Sequence, residues 1–310
     1  MKKKGLIILA IVAAAAIGAF LLLNNNRASA PQPEVAKPTA ATTETAVESK
    51  VPLQQIDTVT VFSEKMHRDI NNIVVVPKAY LEPNDTTRYP TLYLLHGATD
   101  DYTGWSKHTD FGEIADTRRL IIVCPDGQDS WYFDSPIDST MQFETYVSKE
   151  LVDFIDKNYR TFANRQMRAI TGLSMGGHGA LWIAWRHPDV FASCGSMSGG
   201  VDITKFPDRW QLHKRLGRYA ANKKVWEEHS VANLVPTLKE GQNIIISVGR
   251  QDFFYNVNLA LHDSLTKRNI IHTFKTGKGN HSWDYWVKTL KDHLKFFDIA
   301  FEKNYTTQQQ

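Results

Sequence analysis

Cysteine is almost missing from this sequence: the 310 residues include two, Cys124 and Cys194. Two are too few for a disulfide framework. Both sit inside apolar runs, LIIVCPDG and VFASCGSMSG, so buried free thiols are expected. A large charge excess is missing as well. The formal net charge is +3, too small to argue for nucleic acid, and several of the positive charges stand at the extreme N-terminus. No internal repeat is visible. No cysteine follows the N-terminal apolar run, which excludes a lipid-modified N-terminal cysteine. What remains is ordinary for a globular protein: 42% hydrophobic and 22% charged residues, enough for one large core or two small ones.

The first thirty residues do not look like part of a fold. Lys2, Lys3 and Lys4 form a basic start, an uncharged stretch follows from Gly5 to Leu23, and Ala28-Ser29-Ala30 resembles a cleavage box. The apolar stretch exceeds a usual signal core and is just long enough to span a bilayer. Residues 1–30 therefore fit a cleaved signal peptide or an N-terminal membrane anchor. Either way the basic end stays in the cytoplasm and the rest is exported, to a periplasmic, envelope-anchored or secreted location. Residues 31–56 are rich in Pro, Ala, Thr and Glu and lack aromatics, the composition of a flexible linker. A folded domain is expected over 57–303 and a disordered tail over 304–310.

Within the domain, strand-like and helix-like patterns alternate. VTVFS and INNIVVVP suggest two early strands. TLYLLHG, LIIVCPDG, MRAITGLS and NIIISVGRQD are short apolar runs ending in turns, as expected of strands buried on both faces of a mostly parallel sheet. Between them, Phe143, Tyr146, Val147, Leu151, Phe154 and Ile155 recur at helical spacing over 142–159, and another helix is expected over 176–187, stopped by Pro188. This alternation predicts an α/β domain of three layers.

The stretch TGLSMGGHGAL carries the chemistry. Gly172-Leu173-Ser174-Met175-Gly176 fits the G-x-S-x-G pattern of a nucleophile elbow, at the end of one strand and the start of a helix. A serine nucleophile needs a base, and the base an orienting acid. Asp252 falls in the loop after NIIISVG, and His281 falls in a glycine-rich loop before the last helix. Asp202 and Asp208 are rival acids, but neither follows so clear a strand. His178, His187, His213, His229, His262 and His272 are rival bases whose simpler role is packing or surface. The oxyanion hole is expected from the backbone N–H groups of Met175 and Ala98, with His96 bracing the second loop.

These residues, with LLHG…DDYTGW, PDG…SWYFDSP, VGRQDF, GNHSWDYW and the early SEKMHRDINNIVVVPKAY, resemble the putative esterase family of α/β-hydrolases over about residues 57–300. That family includes feruloyl and acetyl-xylan esterases, tributyrin-type esterases, S-formylglutathione hydrolase and the antigen 85 mycolyltransferases. The resemblance implies an α/β-hydrolase fold and a Ser174, Asp252, His281 triad with Ala98 and Met175 lining the oxyanion hole. It implies no metal and no organic cofactor.

Aromatic residues crowd the expected rim: Trp105, Trp131, Tyr132, Phe133, Phe253, Phe254 and Trp283. Trp105, Trp131 and Trp283 are the expected substrate-binding residues, stacking on a sugar ring or an aromatic acyl group. No long insertion suggests a lid, so a shallow cleft and an ester displayed on a larger molecule are expected, a small-molecule or carbohydrate-borne substrate. Export argues against S-formylglutathione. The sequence thus predicts an exported serine esterase. An acyltransferase using a sugar hydroxyl and a non-catalytic carbohydrate-binding protein are the alternatives, and no nucleic-acid partner or oligomeric state is specified.

Overall fold

A computed structural model describes residues 54–238 and 240–308. The signal or anchor of 1–30 and nearly all of the 31–56 linker lie outside the described residues. Among the described residues, eight strands form a single sheet: β1 (Ile56–Ser63), β2 (Arg68–Val75), β3 (Thr91–Leu95), β4 (Ile121–Pro125), β5 (Arg168–Gly172), β6 (Ser193–Met197), β7 (Asn243–Gly249) and β8 (Thr273–Gly277). Their spatial order is β1-β2-β4-β3-β5-β6-β7-β8. The β1–β2 hairpin pairs antiparallel within itself and onto β4, and every other pairing is parallel.

The helices are α1 (Phe111–Arg118), α2 (Phe143–Thr145), α3 (Leu151–Asn158), α4 (Met175–Arg186), α5 (His213–Leu216), α6 (Lys223–Glu228), α7 (Tyr255–Lys267) and α8 (Trp283–Gln308). One wide π turn, Tyr146–Glu150, joins α2 to α3, so the expected helix over 142–159 forms with a bulge. Side chains alternate between the two faces of the sheet, as the pleat requires. Tyr93, Leu95, Ile121, Val123 and Ile170 pack with Leu151, Leu181, Leu261 and Leu265 from α3, α4 and α7. Leu92, Leu94, Ile122 and Ala169 pack on the opposite face with Phe111 of α1 and the α8 stripe Trp286, Leu290, Leu294, Phe297 and Phe301. The three-layer α/β expectation holds. The cysteines fall on opposite faces, Cys194 in the first cluster and Cys124 in the second, both buried and unpaired.

Four expected strands appear as β3, β4, β5 and β7, and the early pair as β1 and β2. β6 and β8 are additions. Two boundaries need correction. Gln55 and Ile56 belong to the fold and not to the linker: Ile56 opens β1, and the Gln55 amide donates to the Gly112 carbonyl (3.2 Å) and to Asp116 (2.9 Å). The tail expected over 304–310 continues α8 through Gln308, because Asn304 donates to the Gln166 carbonyl (3.0 Å) and Tyr305 meets the Phe162 ring edge-on at 5.1 Å.

Behind the sheet, His293 of α8 is fully buried between Thr171 Oγ1 (2.9 Å) and Ser247 Oγ (3.0 Å). Burial pulls its pKa from 6.5 down to about 3, so the folded ring stays neutral where the unfolded ring takes a proton. Unfolding therefore binds a proton as pH falls below 6.5, and the stability held above that pH drains away down to about 3. Relative to wild type, His293→Gln should be less stable near neutral pH, with a deficit that shrinks by about 2 kcal/mol between pH of about 6.5 and about 5. Urea unfolding at the two pH values checks this; a constant deficit would mean that the ring is protonated in the fold.

Candidate active site

Ser174 stands between the end of β5 and the start of α4 with φ of 54° and ψ of −115°, a strained conformation for a residue with a side chain. The flanking chain fixes it there: Leu173 N–H donates to the Leu95 carbonyl (3.3 Å) and Ser174 N–H to the Met197 carbonyl (2.9 Å). The glycines make the turn possible. A Cβ on Gly172 would lie 2.6 Å from the Gly176 carbonyl oxygen, and one on Gly176 2.5 Å from that of His96.

The structure brings together the three residues that the sequence singled out for acid–base work. Ser174 Oγ lies 2.9 Å from His281 Nε2, and His281 Nδ1 lies 3.1 and 3.0 Å from the two carboxylate oxygens of Asp252. Asp252 is a buried carboxylate in the turn after β7, where it also accepts the Phe254 N–H at 2.8 Å. A carboxylate accepts only, so Nδ1 carries the ring proton and Nε2 presents a lone pair to the serine hydroxyl. Three rings confine the imidazole, with centroids 4.3 Å (Phe253), 4.9 Å (Trp286) and 5.3 Å (Phe254) away.

The loops carrying Asp252 and His281 are joined directly. Gln251 N–H donates to the Gly279 carbonyl (2.9 Å), the Gln251 side chain accepts the Gly279 N–H (2.8 Å), and Arg250 N–H donates to the Gly277 carbonyl (2.9 Å). Sequence reasoning missed Gln251, since nothing but its place beside Asp252 distinguishes it.

Met175 follows Ser174 directly, and a Cβ on Gly97, the neighbour of Ala98, would lie 3.6 Å from Ser174 Cβ; neither the Met175 nor the Ala98 N–H donates to a protein acceptor among the described residues. The Ala98 loop is tied on both sides. His96 is buried, with Nδ1 at 2.8 Å from the Gly97 carbonyl and Nε2 accepting the Gly127 N–H at 2.8 Å. Thr99, at φ of 64°, donates its N–H to Asp129 (2.8 Å). His96 is thus a brace between two loops.

Most of the rivals are engaged elsewhere. His178 is buried with Nε2 at 3.0 Å from the His229 carbonyl, His187 meets Glu144 at 2.9 Å, and His262 and His272 bond each other at 2.7 Å. Asp202 caps a short helical turn through Thr204, and Asp208 accepts the Tyr219 N–H.

The expected aromatic rim needs correction. Trp105 is 1% exposed, with its indole N–H given to the Leu95 carbonyl at 3.0 Å, so it supports the loop and offers no face. Trp131 is also 1% exposed, held between His178 and Trp210. Tyr132, Phe133 and Phe254 are buried too. Trp283 is half-buried, and His108 stacks on it at 4.0 Å. Phe253 is 54% exposed. Beside it lies Trp210, which sequence reasoning missed inside the polar run PDRWQLHK; the two rings are near-parallel with centroids 5.9 Å apart.

The family described as Putative esterase matches residues 63–297. The chain belongs to that family. It is 24% identical to an acetyl esterase of Caldicellulosiruptor saccharolyticus over 253 residues, 76% of this chain and 95% of the relative. It is 29% identical to a diacylglycerol acyltransferase/mycolyltransferase of Mycobacterium leprae over 252 residues, 67% of this chain and 74% of the relative. A solved ferulic acid esterase superposes with a TM-score of 0.69 at 27% identity, covering 79% of this chain and 98% of that one. The fold is the α/β-hydrolase fold, and the protein is an ester hydrolase.

Because Gly176 packs against backbone that cannot move aside, Gly176→Ala should destabilise the fold by about 2 kcal/mol through overpacking. Urea unfolding measures the loss, and a cost near zero would mean that α4 can shift away from β3.

Proposed function

We propose that this protein is an exported serine esterase that forms an acyl-enzyme on Ser174 and cleaves acetyl or feruloyl esters carried by carbohydrate. The observation that carries the chemistry is the continuous relay from Asp252 through His281 to Ser174. As Oγ attacks the ester carbonyl carbon, His281 Nε2 takes the hydroxyl proton, and Asp252 stabilises the imidazolium. The oxyanion is received by the Met175 and Ala98 N–H groups, each contributing about 3 kcal/mol of barrier lowering. His281 returns its proton to the leaving alcohol oxygen. A water molecule, deprotonated by the same nitrogen, then releases the acid and restores Ser174.

Similarity to an acetyl esterase and a ferulic acid esterase supports the acyl groups, and the N-terminal basic-then-apolar pattern supports export. The mycolyltransferase similarity favours a second reading, in which a sugar hydroxyl replaces water. Excess alcohol acceptor would then divert the acyl group to a new ester.

Ser174→Ala should bring hydrolysis of matched acetyl, butyryl and feruloyl esters down to background. Asp252→Asn should fold and still lower kcat by about four orders of magnitude, because the amide can favour the wrong imidazole tautomer. Steady-state kinetics with circular dichroism as a folding control checks both; an Asp252→Asn enzyme of near-normal kcat would remove Asp252 from the relay.

A further inference from the structure

One aromatic surface at the site takes no part in the proton transfers of the relay. Phe253 is more than half exposed although its ring lies 4.3 Å from His281. Trp210 lies near-parallel to it, supported by Phe206 (5.6 Å) and Phe254 (5.2 Å). The segment that brings Trp210 there is strained: Asp208, Trp210 and Gln211 all have positive φ, at 57°, 45° and 58°. Left-handed backbone at a bulky non-glycine residue is costly and persists where surrounding structure enforces it, often at ligand-binding positions. We infer that Trp210 and Phe253 form the platform for the alcohol half of the ester, a neutral sugar ring, and not for its acyl half. The inference rests on the serine esterase reading for its direction.

The direction follows from proton transfer. His281 Nε2 must reach both Ser174 Oγ and the departing oxygen, so the alcohol must lie within hydrogen-bond reach of that nitrogen. The acyl substituent points away from it. Of the three rings around His281, Trp286 and Phe254 are buried. Phe253 alone offers an open surface next to the departing group, and Trp210 extends it. The chemistry of the rim fits a sugar. Asp208, Arg209 and Gln211 are exposed on the same loop, so an apolar face that suits ring C–H groups adjoins side chains able to bond hydroxyls.

The test has a binding arm and a turnover arm. In the first, the full-length Ser174→Ala protein is titrated calorimetrically with xylotetraose. Adding Phe253→Ala and Trp210→Ala should weaken binding about tenfold or more, and Phe253→Tyr, which keeps the ring, should restore most of it. In the second, Phe253→Ala with Ser174 intact is assayed on acetylated xylotetraose and on ethyl acetate, which share an acyl group. A fall of about tenfold in the ratio of kcat/KM on the sugar ester to that on ethyl acetate supports the platform, because any effect of the lost ring on His281 is common to both esters. Phe253 is at the surface, so this variant stays interpretable if Trp210→Ala unfolds. Equal losses on both esters, or losses that follow the acyl group between methyl acetate and methyl ferulate, would overturn it, as would sugar binding indifferent to both rings. If neither ester shows Ser174-dependent turnover, the esterase reading falls, and the calorimetric arm still decides the platform.

Discussion

The closeness of α4 to the ends of β3 and β5 is the constraint on which the site depends. With no side chain at positions 172 and 176, the helix starts against the backbone of His96, and Ser174 is forced into its left-handed turn. Such backbone costs about 1–3 kcal/mol. The helix offsets it: Leu181, Trp182 and Ile183 are all buried, and each large apolar side chain contributes about 1.5–3 kcal/mol on burial. The strain is held by a core element and not by the loop itself. The same approach places the start of α4 directly after Ser174, and a helix start favours negative charge.

His281 depends on a different kind of support. Its loop leads into α8, whose buried Trp286 packs on the imidazole, and its position also comes from hydrogen bonds to the neighbouring loop, through Gln251 and Arg250, and from the rings of Phe253 and Phe254. Asp252 is on the same neighbouring loop. Asp252 and His281 are therefore joined to each other through the two loops, and the 2.9 Å contact to Oγ is where that unit meets the turn that carries Ser174.

The features legible in the sequence were those with a local signature. β3, β4, β5 and β7 are runs of large apolar residues cut off by glycine or by a turn, and the residues of the relay sit in those turns. β6 was hidden because its sequence, SCGSM, has almost no large apolar side chain: a strand between two others, with α4 and α8 against it, has room for little more. β8, TFKTG, is a half-exposed edge strand with no strong pattern. Exposure was the least legible property. Trp105 and Trp131 look like surface aromatics in loops, and only tertiary contacts, an indole bond to Leu95 and packing on His178, place them inside. Trp210 was hidden for the converse reason, because a tryptophan in a polar run carries no sign of which loop it will meet. The last turn of α8 was equally opaque, since its helical state comes from contacts with residues more than a hundred positions away.

The strain in the chain is distributed unevenly, and the distribution follows the chemistry. Among the described residues, thirteen non-glycine residues have positive φ. Nine of them, Thr99, Gln128, Trp131, Tyr132, Ser174, Ser198, Asp208, Trp210 and Gln211, lie in loops leaving the C-terminal ends of β3 to β6. The other four are in connections elsewhere, such as Arg119, which ends α1 in an ordinary left-handed cap. Unstrained loops would be the default if these connections served only to link elements. Loops that must aim an N–H, a hydroxyl or an indole at one small volume have fewer conformations to choose from, and some of those are unfavourable. A sheet buried on both faces can hold them because its core does not depend on the loops. The apolar interior carries the stability, and the edge where the strands end is free to be shaped by what it must bind.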